Sequence, residues 1–229
     1  MSPWPEQLDA SQPPLRCVFL LALLHPVCLL PMSKLPDSLN SLLSELERFG
    51  EENDHGDTPR GSKMLNITRD TGEFLAALIR ATGTRSILEV GASNGYSTLW
   101  LAFATQPLGG HITTLERSAA KVAMARQNYE RAGLQGLITL MEGDAGEFLS
   151  NADSGSADLI FLDSNRADYL AWWPHLKRIL RPGGTVVVDN ATSHPEEVAG
   201  FVAVVNADEA FTTALVPVGK GEFVAVKAL

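Results

Sequence analysis

In LPDSLNSLLSELERF, Leu39, Leu42, Leu43, Leu46 and Phe49 recur at three- and four-residue intervals with charged residues between them. This spacing predicts an amphipathic helix over residues 35–49. GEENDHGDTPRGS, residues 50–62, is polar, rich in helix breakers and expected to be a loop. Asp70 or Thr71 is suited to cap a second helix that runs to about Ala81. From there the pattern alternates. Short apolar or β-branched runs fall at 85–90, 111–115, 137–141, 157–162, 184–189, 211–218 and 222–227. Helical stretches near 96–105, 118–132, 144–150, 167–180 and 195–206 separate the first six. Such alternation predicts an α/β fold, a doubly wound and mostly parallel seven-stranded sheet with helices on both faces. Only Gly219-Lys220-Gly221 separates the last two runs, which therefore form a hairpin with the final strand antiparallel to its neighbour.

Composition narrows the class. A chain of 229 residues suits one well-buried domain, expected at 32–229. The net charge of −9 argues against a nucleic-acid partner, because phosphate neutralisation needs a basic face. Cys17 and Cys28 both precede the predicted domain, which can thus hold neither a disulfide framework nor a cysteine metal site. The stretch from Arg16 to Pro31 is apolar but short for a bilayer span, and His25-Pro26 interrupts it. Glu6 and Asp9 precede it and no small-x-small cleavage site follows. Residues 1–31 read as a disordered or mis-assigned extension, with weak membrane association and a signal peptide as the alternatives. A cytoplasmic protein with no membrane partner is expected.

The first strand of the alternating region ends in LEVGASNGYS, which reads in two ways. Gly91-x-Ser93-x-Gly95 fits the elbow of a hydrolase nucleophile, but that elbow needs an oxyanion loop from an earlier strand, and only helices and a loop precede Ser93 here. A dinucleotide fingerprint requires a glycine where Ser93 stands, to admit a pyrophosphate. The remaining acids favour a cofactor with ribose and adenine but no phosphate. Glu116 ends the second strand, where a carboxylate can accept both ribose hydroxyls, and Asp144 follows the third, beside the adenine edge. Glu89, just before the turn, can face a cationic amino-acid moiety. Each acid alone also reads as an ordinary strand-end or capping residue. Three at successive strand ends beside a glycine turn form a pattern.

Asp163, in FLDSN, and Asp189-Asn190, in VVVDNA, end the fourth and fifth strands. Neighbouring strand ends lie roughly 5 Å apart, so these oxygen donors can converge. A set without Cys or His suits a hard divalent ion, Mg²⁺ first, with Mn²⁺ or Ca²⁺ possible. Strand-end polar residues that begin a turn are the alternative.

In its ordered set ILEVGASNGYSTLWLA, TTLERSAAKVAMARQNYERAGL, EGDA, DLIFLDSNRADY, LRPGGTVVVDNA and VPVGKGEFVAVK, the chain resembles the class I S-adenosylmethionine-dependent methyltransferases. Within them it is most similar to the cation-dependent O-methyltransferases related to catechol and caffeoyl-CoA O-methyltransferases, over residues 60–229. The resemblance implies a Rossmann-like methyltransferase fold that binds S-adenosylmethionine and a divalent cation. It implies Glu89, Gly91, Ala92 and Ser97 around the methionine part and sugar, Glu116 at the ribose, and Asp144 with Ala145 at the adenine. Asp163, Asp189 and Asn190 match the metal ligands, with Asp163 and Arg166 at the reacting end. Members of that family usually carry Lys, the expected base, where this chain has Arg166, and an acid where it has Asn165. A guanidinium stays protonated at working pH, so Arg166 can stabilise an anion but cannot take a proton. His194 is an outside candidate for that role, and Tyr169, Trp172 and Trp173 divide between core and an aromatic wall or dimer contact. The expected activity is methyl transfer to a small hydroxylated, catechol-like or phenolic acceptor by a homodimer. The alternatives are a non-catalytic cofactor-binding or interaction protein and a nucleotide-dependent oxidoreductase.

Overall fold

The computed structural model describes residues 34–229, so the apolar extension at 1–31 and both cysteines lie outside the described residues. Two helices open the described part, α1 (Asp37–Asp54) and α2 (Arg69–Thr82). Strands and helices then alternate as β1 (Ser86–Val90), α3 (Tyr96–Thr105), β2 (His111–Glu116), α4 (Ala119–Ala132), β3 (Ile138–Glu142) and α5 (Ala145–Asn151). They continue through β4 (Ala157–Leu162), α6 (Tyr169–Ile179), β5 (Leu180–Val188) and α7 (Pro195–Asn206) to a closing hairpin, β6 (Phe211–Val216) and β7 (Glu222–Lys227). The strands form one sheet in the order β3-β2-β1-β4-β5-β7-β6. Strands β1 to β5 are paired in parallel, and β7 lies antiparallel between β5 and β6. This is the expected Rossmann-like methyltransferase arrangement.

The two-residue period of the strands divides the core. Ile87, Ile112, Leu159, Phe161 and Val187 pack on one face against α1 to α4. Leu88, Val90, Ile160, Leu162, Val186 and Val188 pack on the other against α6 and α7. The central strands β1, β4 and β5 thus bury both faces, which accounts for their nearly continuous apolar runs, while the edge strands β3 and β6 stay partly exposed.

Three of the boundary shifts have a visible cause. Helix α1 continues to Asp54, into the segment expected as a loop. There the Asp54 carboxylate accepts the N–H groups of Met64 and Leu65, each at 2.7 Å. The cap of α2 is Thr68, whose side chain accepts the N–H of Thr71, and not Asp70 or Thr71. The Asp70 carboxylate instead accepts the N–H of Gly219 in the β6–β7 turn at 3.0 Å. Strand β5 begins at Leu180 rather than 184, with its ladder to β4 irregular between Ala157 and Leu159. That irregularity lies at the Pro182-Gly183-Gly184 end, far from the carboxyl edge.

Candidate active site

At the carboxyl edge of the sheet lies a cleft of about 600 Å³. Its floor is the turn after β1. Gly91 has φ of +111°, and a Cβ there would stand 2.0 Å from the carbonyl oxygen of Asp163. Only glycine lets the β1 and β4 ends approach this closely. Ser93 also has positive φ, and its N–H donates to Glu116 Oε2 at 2.9 Å while its hydroxyl donates to the Met64 carbonyl at 2.7 Å. Ser93 is therefore a fixed loop residue, and its hydroxyl proton is committed to backbone rather than to a histidine.

Glu116 ends β2 with Oε2 on the turn and Oε1 accepting the N–H of Ser118, the cap of α4, at 2.9 Å. One backbone donor on each oxygen leaves lone pairs for ligand hydroxyls. Asp144 caps α5 by accepting the Glu147 N–H at 3.0 Å. Gly91, Ala92, Ser97, Glu116, Asp144 and Ala145 all line the cleft. Glu89 departs from its expected place. It is fully buried beneath the turn, where Ser97, Thr98 and Thr114 donate their hydroxyls to it, and it does not line the cleft. Burial raises its pKa, and the three hydroxyls oppose that rise. Glu89 thus braces β1 against α3 and β2 rather than facing a ligand's cationic group.

The opposite end gathers Asp163, Asp189 and Asn190. The backbone ladder continues past the strands, with Asp163 N–H donating to Val90 and Asp189 N–H to Leu162, each at 3.1 Å. These hydrogen bonds bring the two carboxylates side by side. Asn190 Nδ2 is 2.6 Å from Asp189 Oδ2 and 3.4 Å from Asp163 Oδ1. Asp163 and Asn190 line the cleft, while Asp189 is buried beside them, 2% exposed. Loss of hydration around Asp163, followed by the nearby Asp189 charge, raises its pKa well above the usual range. Among the described residues no three His, Cys, Asp or Glu side chains are grouped to hold a metal ion. The expected set is two carboxylates and an amide.

Arg166 reaches the cleft, but its Nε donates to Glu197 on α7 at 2.8 Å, so its charge is already engaged. His194 lines the cleft beside Ser193, its Nδ1 2.9 Å from that hydroxyl. Tyr169 and Trp173 belong to the core, and Trp172 forms part of the cleft wall. The Tyr169 hydroxyl accepts the Ser164 N–H at 2.7 Å and fixes the turn after Asp163.

Three further contributors stand around the cleft, of which Lys220 and Glu222 were not anticipated. The segment from Arg60 to Ile67 closes one side of the cleft, held there by Asp54 and by Lys121, whose Nζ donates to the Lys63 carbonyl at 2.6 Å. Lys220, in the β6–β7 turn, lines the acid end. Glu222, the first residue of β7, is fully buried in contact with Asp189 and accepts the Thr71 hydroxyl at 2.9 Å. Its other oxygen has no hydrogen-bond donor among the described residues. Burial, then the Asp189 charge, pushes Glu222 up to about 10. An antiparallel last strand must start at the carboxyl edge, so its first residue, a charged one before an apolar run, was the available signal.

A doubly wound sheet with a cleft along its carboxyl edge and acids at both ends of that cleft has the Rossmann-like methyltransferase architecture. Residues 37–227 match the family described as O-methyltransferase, and the chain belongs to that family. It is 33% identical to catechol O-methyltransferases of Niastella koreensis and Mycobacterium tuberculosis over 57% and 55% of its length. Those matches span only 60% and 57% of the two relatives. The O-methyltransferase from Bacillus cereus, solved in complex with SAH, superposes with a TM-score of 0.71 at 25% identity. That alignment covers 86% of this chain and 93% of the other.

Proposed function

We propose that this protein transfers a methyl group from S-adenosylmethionine to a hydroxyl of a small phenolic or catechol-like acceptor, assisted by a divalent cation. One observation carries the reading: a single cleft has Glu116 and Asp144 at one end and Asp163 and Asn190 at the other. Family membership and the SAH complex of the Bacillus cereus relative support the donor.

On this reading Glu116 holds the donor's ribose and Asp144 with Ala145 its adenine edge, while Gly91 and Ala92 let it lie close to backbone. Bound donor supplies a methyl already activated on sulfonium sulfur, so the protein has mainly to align the acceptor oxygen and disperse its charge. Trp172 offers a flat wall to a planar ring.

The acid end suits a hard cation by its chemistry. Once ionised, Asp163 and Asp189 are accept-only groups, held together with no Lys or Arg in ion-pair contact among the described residues. The Asn190 amide now turns its nitrogen to both, and a half-turn of that amide presents a third oxygen at the same point. A divalent ion held there would lower the acceptor hydroxyl's pKa and fix two adjacent oxygens.

Incubation with methyl-labelled S-adenosylmethionine and a panel of catechols and phenols, with and without EDTA, tests the whole reading. Transfer that EDTA abolishes and Mg²⁺ restores is expected. Transfer insensitive to EDTA removes the cation, and tight donor binding with transfer to nothing leaves a binding protein.

A further inference from the structure

We propose that Lys220 is a catalytic residue, the side chain that meets the acceptor's reacting oxygen and offsets the negative charge passing through it; this rests on the methyl-transfer reading. Three observations lead there. First, Arg166, Arg60 and Lys220 are the basic side chains that line the acid end. Arg166 is engaged by Glu197, and Arg60 stands on an exposed turn. Lys220 is half-buried, and its ammonium makes no hydrogen bond or ion pair among the described residues. Its charge is nevertheless felt at Asp163.

Second, the backbone that presents Lys220 is clamped from both sides. Its carbonyl accepts the Thr192 hydroxyl at 2.6 Å and the N–H groups of Thr192 and Ser193 at 3.1 Å. Gly221 accepts the Ala191 N–H at 2.8 Å, and Gly219 donates to Asp70 at 3.0 Å. A Cβ on Gly219 would stand 2.2 Å from Thr71 Oγ1, and one on Gly221 2.3 Å from Thr192 Oγ1. Two glycines with positive φ thus let the turn wedge between the start of α2 and the segment after Asn190. The result is a long cationic side chain on a rigid base, with no structural partner to hold.

Third, the reaction needs what Lys220 offers. As the acceptor oxygen takes the methyl and its proton leaves to water, negative charge gathers on that oxygen before the new bond neutralises it. A donor aimed at such a charge is worth about 100-fold in rate or more. Arg166, already satisfied by a carboxylate, is poorly placed to respond.

The test compares the full-length wild type with Lys220→Met and Lys220→Arg. SAH affinity by calorimetry should stay within about twofold for all three, which shows an intact donor site. Lys220→Met should lower kcat about 100-fold on catechol, with Lys220→Arg in between. The loss should shrink on 4-nitrocatechol, whose hydroxyl is more acidic and needs less help, a dependence that a purely structural role would not produce. Equal kcat in wild type and Lys220→Met, or a loss independent of acceptor acidity, overturns the assignment while leaving methyl transfer standing. A wild type that methylates no acceptor defeats both together.

Discussion

Asp189 and Glu222 face each other across neighbouring strands, one step past the Val188–Phe223 pair of the antiparallel β5–β7 ladder. Both are buried, at 2% and 0% exposure, and like charges directly opposite on a sheet repel. A proton or a cation has to sit between them. In protein free of divalent ions, Glu222 holds its proton to about pH 10, whereas the unfolded chain releases it near the ordinary 4.5. Between those values the folded state binds more protons than the unfolded state, so stability must fall as pH rises, by at most about 1.4 kcal/mol per pH unit for one proton. Denaturant melts in EDTA should therefore show declining stability from about pH 5 towards about pH 10. Glu222→Gln should flatten that slope and exceed wild type at the alkaline end. An unchanged slope in the variant would show that the pair does not carry the proton.

Glu116 accepts one backbone N–H on each oxygen, from Ser93 and Ser118, and on the proposed reading it holds the donor's ribose. Its removal both frees the turn and deletes the acceptor available to a ribose. Hydrogen bonds to a charged group contribute about 1.5–3 kcal/mol. Glu116→Ala should accordingly weaken SAH binding by about 10- to 100-fold in calorimetry, and Glu116→Gln, which keeps one oxygen, by less. An affinity within twofold of wild type for Glu116→Ala would remove the ribose role.

Gly91 joins the two halves of the site. Alanine there would combine a strained positive φ with a Cβ 2.0 Å from the backbone oxygen of Asp163, a contact that no rotamer can relieve. A cost of about 3 kcal/mol or more is expected. A thermal melt should register it as a fall of roughly 6–12 °C for a chain of this size. Gly136, exposed and with no atom within 4 Å of its added Cβ, supplies the control, and Gly136→Ala should melt near wild type.

The sequence was most legible where local pattern and burial agree. Strands β4 and β7 and helices α3 and α7 match their expected bounds, because a period of 2 or 3.6 with clear breakers leaves little freedom. Gly91, Glu116, Asp144, Asp163 and Asn190 could be placed on one cleft because the carboxyl ends of parallel strands share an edge. Glu89 could not be placed correctly. Whether a strand-end carboxylate meets a ligand or three hydroxyls depends on Ser97, Thr98 and Thr114, which only the packed helix and neighbouring strand bring to it. Lys220 and Glu222 escaped for a related reason, since their proximity to Asp163 and Asp189 arises from β7 inserting between β5 and β6. The loop expected at 50–62 became helix as far as Asp54 because a tertiary clamp outweighs a polar composition.

That clamp sets a final expectation. Burial alone would raise the pKa of Asp54, yet hydrogen bonds from Asn53 and from the N–H groups of Leu65 and Met64, with the Lys63 charge, hold it below 3.8. A depressed folded pKa contributes stability that is present above the unfolded value and lost as pH falls through the folded one. Asp54→Asn should therefore destabilise the protein by about 1–2 kcal/mol at pH 7, where two charge-assisted bonds are weakened. Wild type and variant should converge in acid, once pH has fallen through the lowered folded pKa of Asp54 and both side chains are neutral. Since the clamp sets Met64, whose carbonyl anchors Ser93, the variant should also weaken SAH binding several-fold at pH 7. Melts at neutral pH and in acid and one calorimetric titration decide this. Equal stabilities at neutral pH, or a stability gap that persists in acid, would show that Asp54 does not secure the cleft wall through its charge.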